Sequence, residues 1–241
     1  MTEIRLTLML LFCFFGSTLK AQIGMSYGYI QQENLTWDQI LLEKGILSAE
    51  ETIFSQGHRL SLEYWFRLPK QRIEFYPELN ISIQESSFSD NLFTYQINLQ
   101  AINYGLDLKT QIYFLDFKGD CDCPTFSKND PIFKKGIYLL LSPGVYIQNK
   151  SINSSSQTFS MDQVNQSVNL KLGAGFGLDI GITDLVTLSP FYLFELHKKT
   201  EWNALKSLPQ SSISILDPIQ DSAAMINRHI FGLKIHFRFD Y

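Results

Sequence analysis

Long stretches of this chain alternate apolar and polar residues with a period of two, the signature of strands that have one greasy face and one polar face. The clearest is 226–241. From Phe231 onward Phe231, Leu233, Ile235, Phe237, Phe239 and Tyr241 alternate with Gly232, Lys234, His236, Arg238 and Asp240. Seven further stretches behave alike. Residues 22–31 set Ile23, Met25, Tyr27 and Tyr29 opposite Gly24, Ser26 and Gly28, and 58–68 set Leu60, Leu62, Tyr64, Phe66 and Leu68 opposite Arg59, Ser61, Glu63, Trp65 and Arg67. Residues 72–85, 136–149, 164–182 and 186–197 follow the same rule. In 93–115 apolar residues occupy odd positions as far as Leu99 and even positions from Ile102. That one-residue phase change predicts a β-bulge near Ala101.

Eight strands of about ten residues or more, apolar on one face, predict an antiparallel up-and-down barrel whose even strand number returns both ends of the chain to one side. Turns at 69–71 and 183–184 are short. The connections 32–57, 150–163 and 198–225 read as long loops on the far side, the first with a short amphipathic helix at 37–44 that ends at Gly45. Pro77, Pro143 and Pro190 all fall on the apolar face of strands running in one direction. Gly173, Gly175 and Gly177 spell GxGxG without being a nucleotide loop. They alternate along a continuous strand with no helix after them, as small inward residues of a narrow barrel would.

Composition narrows the compartment. The longest apolar run, 6–15, is too short for a spanning helix. It follows Arg5 and precedes Gly16, Ser17 and Ala21, so residues 1–21 read as a secretory signal peptide cleaved after Ala21, leaving 22–241 as one barrel domain. A lipoprotein reading through Cys13 would place large Phe12 before the cysteine and shorten the apolar core. Of 20 basic and 24 acidic residues, cleavage removes Arg5, Lys20 and Glu3, leaving 18 and 23, a net charge of −5. No basic patch suggests nucleic acid.

The polar faces carry Arg59, Arg67, Lys109, Lys171, Lys234 and Arg238 against Glu63, Glu74, Glu78, Asp107, Asp179, Glu195 and Asp240. Nearly balanced signs predict a plugged, salt-bridged interior rather than an open pore, since charges inside eight strands must pair or stay hydrated. A narrow channel is the alternative. His58 near Ser61 and His197 near Glu195 are the catalytic candidates, but neither makes a compact motif, and each reads first as a rim or lumen residue. Cys121 and Cys123, flanked by Asp120 and Asp122, form the one local constellation with chemical content. Two thiols fall short of a four-ligand metal site, so a disulfide or a contact with a partner comes first, a metal or redox role second. No cofactor is expected.

These features together resemble small eight-stranded bacterial outer-membrane β-barrels of the OmpA/OmpX type. The resemblance covers the whole mature chain and rests on the cleavage region, the alternating strands and the terminal Phe239-Asp240-Tyr241. It implies an assembly signal at Phe237, Phe239 and Tyr241 read by the barrel-assembly machinery. It also implies residence in the outer membrane of a Gram-negative cell, with outer-membrane lipid and a periplasmic or surface protein as partners. A non-enzymatic structural or partner-binding role is the leading expectation. A lipid-modifying enzyme is the alternative, and a soluble lipocalin-like barrel the alternative fold.

Overall fold

A computed structural model describes residues 22–44, 46–48, 51–67, 73–90, 95–113, 136–155, 160–183, 186–202, 205 and 223–237. The strands are β1 (Gln22–Glu33), β2 (Gln56–Arg67), β3 (Ile73–Asp90), β4 (Tyr95–Tyr113), β5 (Ile137–Ser155), β6 (Ser160–Leu178), β7 (Val186–Glu201) and β8 (Ala223–Phe237), with helix α1 (Leu35–Glu43) after β1. Residues Ile180–Gly181 continue β6. Every strand is antiparallel to its chain neighbour, and β1 pairs with β8 from Ile23↔Phe237 to Glu33↔Asn227. The sheet is therefore closed, and its backbone donors and acceptors find partners without an exposed edge on either side of most strands.

Strand parity decides which side chains face in. Met25, Leu62, Leu79, Leu106, Leu139, Leu170, Leu172 and Phe231 are exposed on the outside. Arg59, Glu63, Glu78, Asp107, Lys109 and Lys234 are buried inside. This is the inside-out arrangement of a barrel in apolar surroundings, and the reverse of a lipocalin-like one.

Strand β4 contains no bulge. Its register with β3 runs unbroken from Ile73↔Ile112 to Asp90↔Tyr95, so its odd residues face inward throughout. What changes at Ala101 is polarity, not parity. Below it the outside is Tyr104, Leu106 and Leu108 and the inside Asn103, Asp107 and Lys109; above it the outside is Asn98 and Gln100 and the inside Ile97 and Leu99. Strand β5 does the same, where outward Ile147 gives way to Asn149, Ser151 and Asn153 while inward Gln148 gives way to Ile152. An apparent phase slip thus arises when a strand leaves one solvent for another and its two faces exchange character. For the same reason much of 86–92 and 150–163 is strand, not loop.

The three prolines have a physical account. All lie on the outer face, and each breaks the ladder on one side while the register continues beyond it. The β2–β3 pairing passes from Glu63↔Glu78 to Phe66↔Phe75 around Pro77, and β4–β5 from Asp107↔Gly144 to Thr110↔Leu141 around Pro143. Pro190 separates Gly177↔Phe191 from Ile180↔Leu188 in the same way. Each lacks an N–H, so one local rung is missing without a slip. Gly175 is required by close approach: a Cβ there would strike the backbone of Tyr192 and Leu193 on β7. The GxGxG run is strand, as expected.

The β6–β7 seam is short. Its upper pair is Lys171↔His197, just before the irregularity at His197/Thr200 in the pairing of β7 with β8. Among the described residues none pairs with 160–170 on that side, and Asn165 and Ser167 are half-exposed there.

Mid-belt Leu106 and outward Asn98 lie on the same face of one strand on opposite sides of the polarity change. Leu106→Arg should lower the unfolding free energy in lipid vesicles by about 2–4 kcal/mol, and Asn98→Arg by no more than about 0.5 kcal/mol. Reversible denaturant unfolding of both variants, followed by tryptophan fluorescence, checks this.

Candidate functional site: the charged lumen and its outer cap

The middle of the lumen is built around Arg59 of β2. Its guanidinium holds Glu78 of β3 and Asp107 of β4 at 2.5 Å each and Glu195 of β7 at 2.7 Å. Lys171 of β6 reaches across to Asp107 (2.8 Å) and Glu195 (3.0 Å). Lys109 pairs with Glu78 and stands 3.5 Å from Glu63. These pairs tie β2, β3, β4, β6 and β7 together through the lumen, with Arg59–Glu195 the widest span. Each carboxylate has at least one cation and each cation at least two carboxylates, which is what keeps charges tolerable out of water.

Toward the end where the chain begins, the polar groups become hydroxyls and rings. Tyr113 donates to Asp179 Oδ2 (2.6 Å), with Glu74 Oε2 3.0 Å from the same hydroxyl, and Tyr76 donates to Glu74 (2.7 Å). Ser189 completes the set on Asp179 Oδ1 at 2.5 Å. Lys234 of β8 lies 3.4 Å from Glu63 and 4.6 Å from the centre of the Tyr76 ring, on which His236 stacks at 5.1 Å. Aromatic faces take part of the role of counter-ions here.

Toward the other end lies an amide layer and then an apolar cap. Arg228 binds Gln32 and Gln84 (2.9 Å for the latter), Gln32 donates to Asn34 (2.6 Å), and Asn34 and Gln84 donate to the carbonyls of Ile53 and Phe54 at 2.8 Å each. Phe54 has a positive φ of 50°, an uncommon conformation for a bulky residue. It is fixed from both sides, because Ser86 Oγ also accepts from its N–H at 2.7 Å. Above this layer α1 turns Trp37, Ile40 and Leu41 into the mouth against Phe54, Leu99, Ile152, Trp202 and Ile226. Trp37 meets Trp202 edge-on at 5.3 Å, and Phe54 stacks on Trp202 at 5.6 Å. Lys150 closes the cap from below, with its Nζ 4.4 Å over Trp37 and donating to the Glu201 carbonyl at 2.8 Å. Burial raises the pKa of Asp38 on α1, a rise opposed by the bond it accepts from the Ile53 N–H.

The sequence-predicted residues separate clearly. Cys121, Cys123, Phe239, Tyr241, Arg238, Asp240 and residues 1–21 lie outside the described residues, as does the side chain of Arg67. Phe237 is at the outward-facing end of β8, paired with Ile23 and Val186. His58 faces outward and Ser61 inward, so the structure does not bring them together. His197 does lie 3.3 Å from Glu195, but that carboxylate is already held by Arg59 and Lys171, and the ring is buried edge-on to Tyr146 at 4.8 Å. Arg228 and Lys150 were missed as lumen residues. Parity was the available signal: both share the phase of their strands' inward residues, Lys150 in a stretch that read as loop and Arg228 in the last strand ahead of the alternation traced from Phe231. With them, the buried charges among the described residues are Arg59, Lys109, Lys150, Lys171, Arg228 and Lys234 against Glu63, Glu74, Glu78, Asp107, Asp179 and Glu195. Among the described residues the formal charges inside balance.

No family model matches the chain, and no curated protein matches it. Among solved structures it is similar to Ail, the attachment invasion locus protein of Yersinia pestis, in complex with the heparin analogue sucrose octasulfate, at 10% identity and a TM-score of 0.45 over 91% of this chain and 100% of that one. A major outer membrane protein from Thermus thermophilus is similar at 9% identity and a TM-score of 0.45, over 90% of this chain and 99% of the other. The outer membrane protease OmpT from Escherichia coli follows at 8% identity and 0.43, over 91% and 96%. At such identities and scores these likenesses carry no activity to this chain. Its own strand pairing establishes a closed, antiparallel eight-stranded β-barrel, and its described side chains give it an apolar outside and an ion-paired inside.

Arg59 is where that interior is most sensitive. Arg59→Met leaves Glu78, Asp107 and Glu195 short of a cation and should cost about 3–5 kcal/mol of stability. Lys198→Met, on the exposed outer face, should change it by less than about 0.5 kcal/mol. Denaturant midpoints of the two variants give the comparison.

Proposed function

We propose that this protein is a non-enzymatic β-barrel of the Gram-negative outer membrane, sealed along its axis, which serves the envelope structurally or by binding partners at its surface end. One observation carries the reading: a continuous outward apolar belt surrounds a lumen crossed by ion pairs. On β5 the belt runs from Ile137 to Ile147, about eleven residues, or roughly 25 Å of height at the usual strand tilt, which matches the apolar band of such barrels. A water-soluble protein would not leave Leu79, Phe176, Leu172 and Met25 more than half exposed around its girth. Export through a signal peptide at residues 1–21 supplies the route, and Phe237, Phe239 and Tyr241 the assembly signal.

The surface end is the part that varies the chemistry on offer. Helix α1 exposes Leu35 and Leu42 one helical heptad apart, with Gln39 between them. Strands β3–β6 extend beyond the belt with Ser87, Asn98, Asn153 and Gln166 outward. A role for Cys121 and Cys123 on the periplasmic side, as a disulfide or a partner contact, belongs to the same proposal.

Two measurements test it. Full-length protein should fractionate with outer membranes and migrate differently on gels before and after boiling; a soluble, non-heat-modifiable product defeats the reading. Reconstituted into planar bilayers it should give no sustained conductance steps, whereas regular open-channel steps would favour the channel.

A further inference from the structure

Two histidines on the outer surface have a feature in common that the lumen does not explain. His58 of β2 and His229 of β8 flank β1, and both face away from the interior. Each has its Nδ1 taken by a tyrosine hydroxyl of a neighbouring strand: Tyr27 at 2.6 Å for His58, Tyr192 at 2.8 Å for His229. Rings fix the planes. Tyr27 stacks on His58 at 5.8 Å with Tyr29 at 6.1 Å, and His229 lies 5.1 Å from Phe194. When the phenol donates to Nδ1, the proton of a neutral imidazole must sit on Nε2, which is then the ring's remaining donor.

Their height matters equally. Each is the last ring on the outer face of its own strand before a polar residue: beyond His58 comes Gln56 and beyond His229 comes Asn227, and their register partners on β1 are Tyr29 and Gln31. A free N–H in hydrocarbon would be costly, and at the boundary the strong acceptor is a headgroup phosphate, which takes a charge-assisted bond. From this geometry we infer that the Tyr27–His58 and Tyr192–His229 pairs bind the phosphate of outer-leaflet lipid headgroups, ordering lipid against β1. The inference rests on the membrane reading above, without which no headgroup is present.

The test uses full-length protein in mild detergent with native mass spectrometry, after its heat-modifiability shows that it is folded. The probes are phosphatidylglycerol, a neutral galactosyl diacylglycerol with the same chains, and inorganic phosphate. Wild type should retain phosphatidylglycerol, and the ring-preserving double variant His58→Phe with His229→Phe should lose about tenfold in retention, the scale of a hydrogen bond to a charged group. Tyr27→Phe with Tyr192→Phe should lose part of it, while galactolipid retention stays the same in all three. Unchanged phosphatidylglycerol retention in the histidine variant overturns the proposal. So does equal loss of the galactolipid, which would mean ring packing alone, and so does competition by inorganic phosphate at equal concentration, which would mean a site for the free ion. A wild type that is not heat-modifiable fails the membrane reading instead, before any lipid is added.

Discussion

Everything inside this barrel depends on the clamp of Arg59 on Glu78, Asp107 and Glu195. One cation from β2 joins β3, β4 and β7 through the lumen, and Lys171 and Lys109 neutralise what it leaves over. Among the described residues six buried cations and six buried carboxylates balance, and those in the middle of the lumen are paired directly, which offsets the cost of enclosing them. Small residues elsewhere in the wall make room for other inward groups: a Cβ would strike His236 at Gly24, Ile230 at Gly28, the Tyr192 and Leu193 backbone at Gly175 and Tyr138 at Gly177.

The second organising fact is the exchange of polarity along β4 and β5. Within the belt, oil is outside and charge inside. Above it, amides and hydroxyls face outward, and Ile97, Leu99, Ile152 and Ile226 face inward to meet α1. The protein therefore has two cores of opposite kind stacked on one axis: an ion-paired one where the outside is apolar, and a conventional hydrophobic one where the outside is wet. Arg228, Gln32 and Gln84 form the layer between them.

Much of the fold was legible because period two is a direct consequence of strand geometry. Parity identified the eight strands, the inward glycines, the outward prolines and most of the lumen charges, and the turn residues located α1. Parity was misread where hydrophobicity was used as its proxy. At Ala101 the apolar residues change face, and pattern alone cannot tell a bulge from a change of solvent. The same proxy cost Lys150 its place in the interior, since a strand segment with polar outward residues looks like a loop, while Arg228 lay in the last strand ahead of the alternation traced from Phe231. How the charges pair was not legible at all, because Arg59 and Glu195 are 136 positions apart and meet only through closure of the sheet.

The central claim is that the two faces of β4 and β5 exchange environments at a fixed height. Spin labels placed singly at outward Leu139, Val145, Ile147, Ser151 and Asn153 of β5, with the protein in lipid vesicles, test it most directly through collisions with dissolved oxygen and with a water-soluble nickel chelate. The account predicts oxygen-dominated relaxation from Leu139 to Ile147 and nickel-dominated relaxation at Ser151 and Asn153. Nickel access of the same strength at all five positions would contradict it.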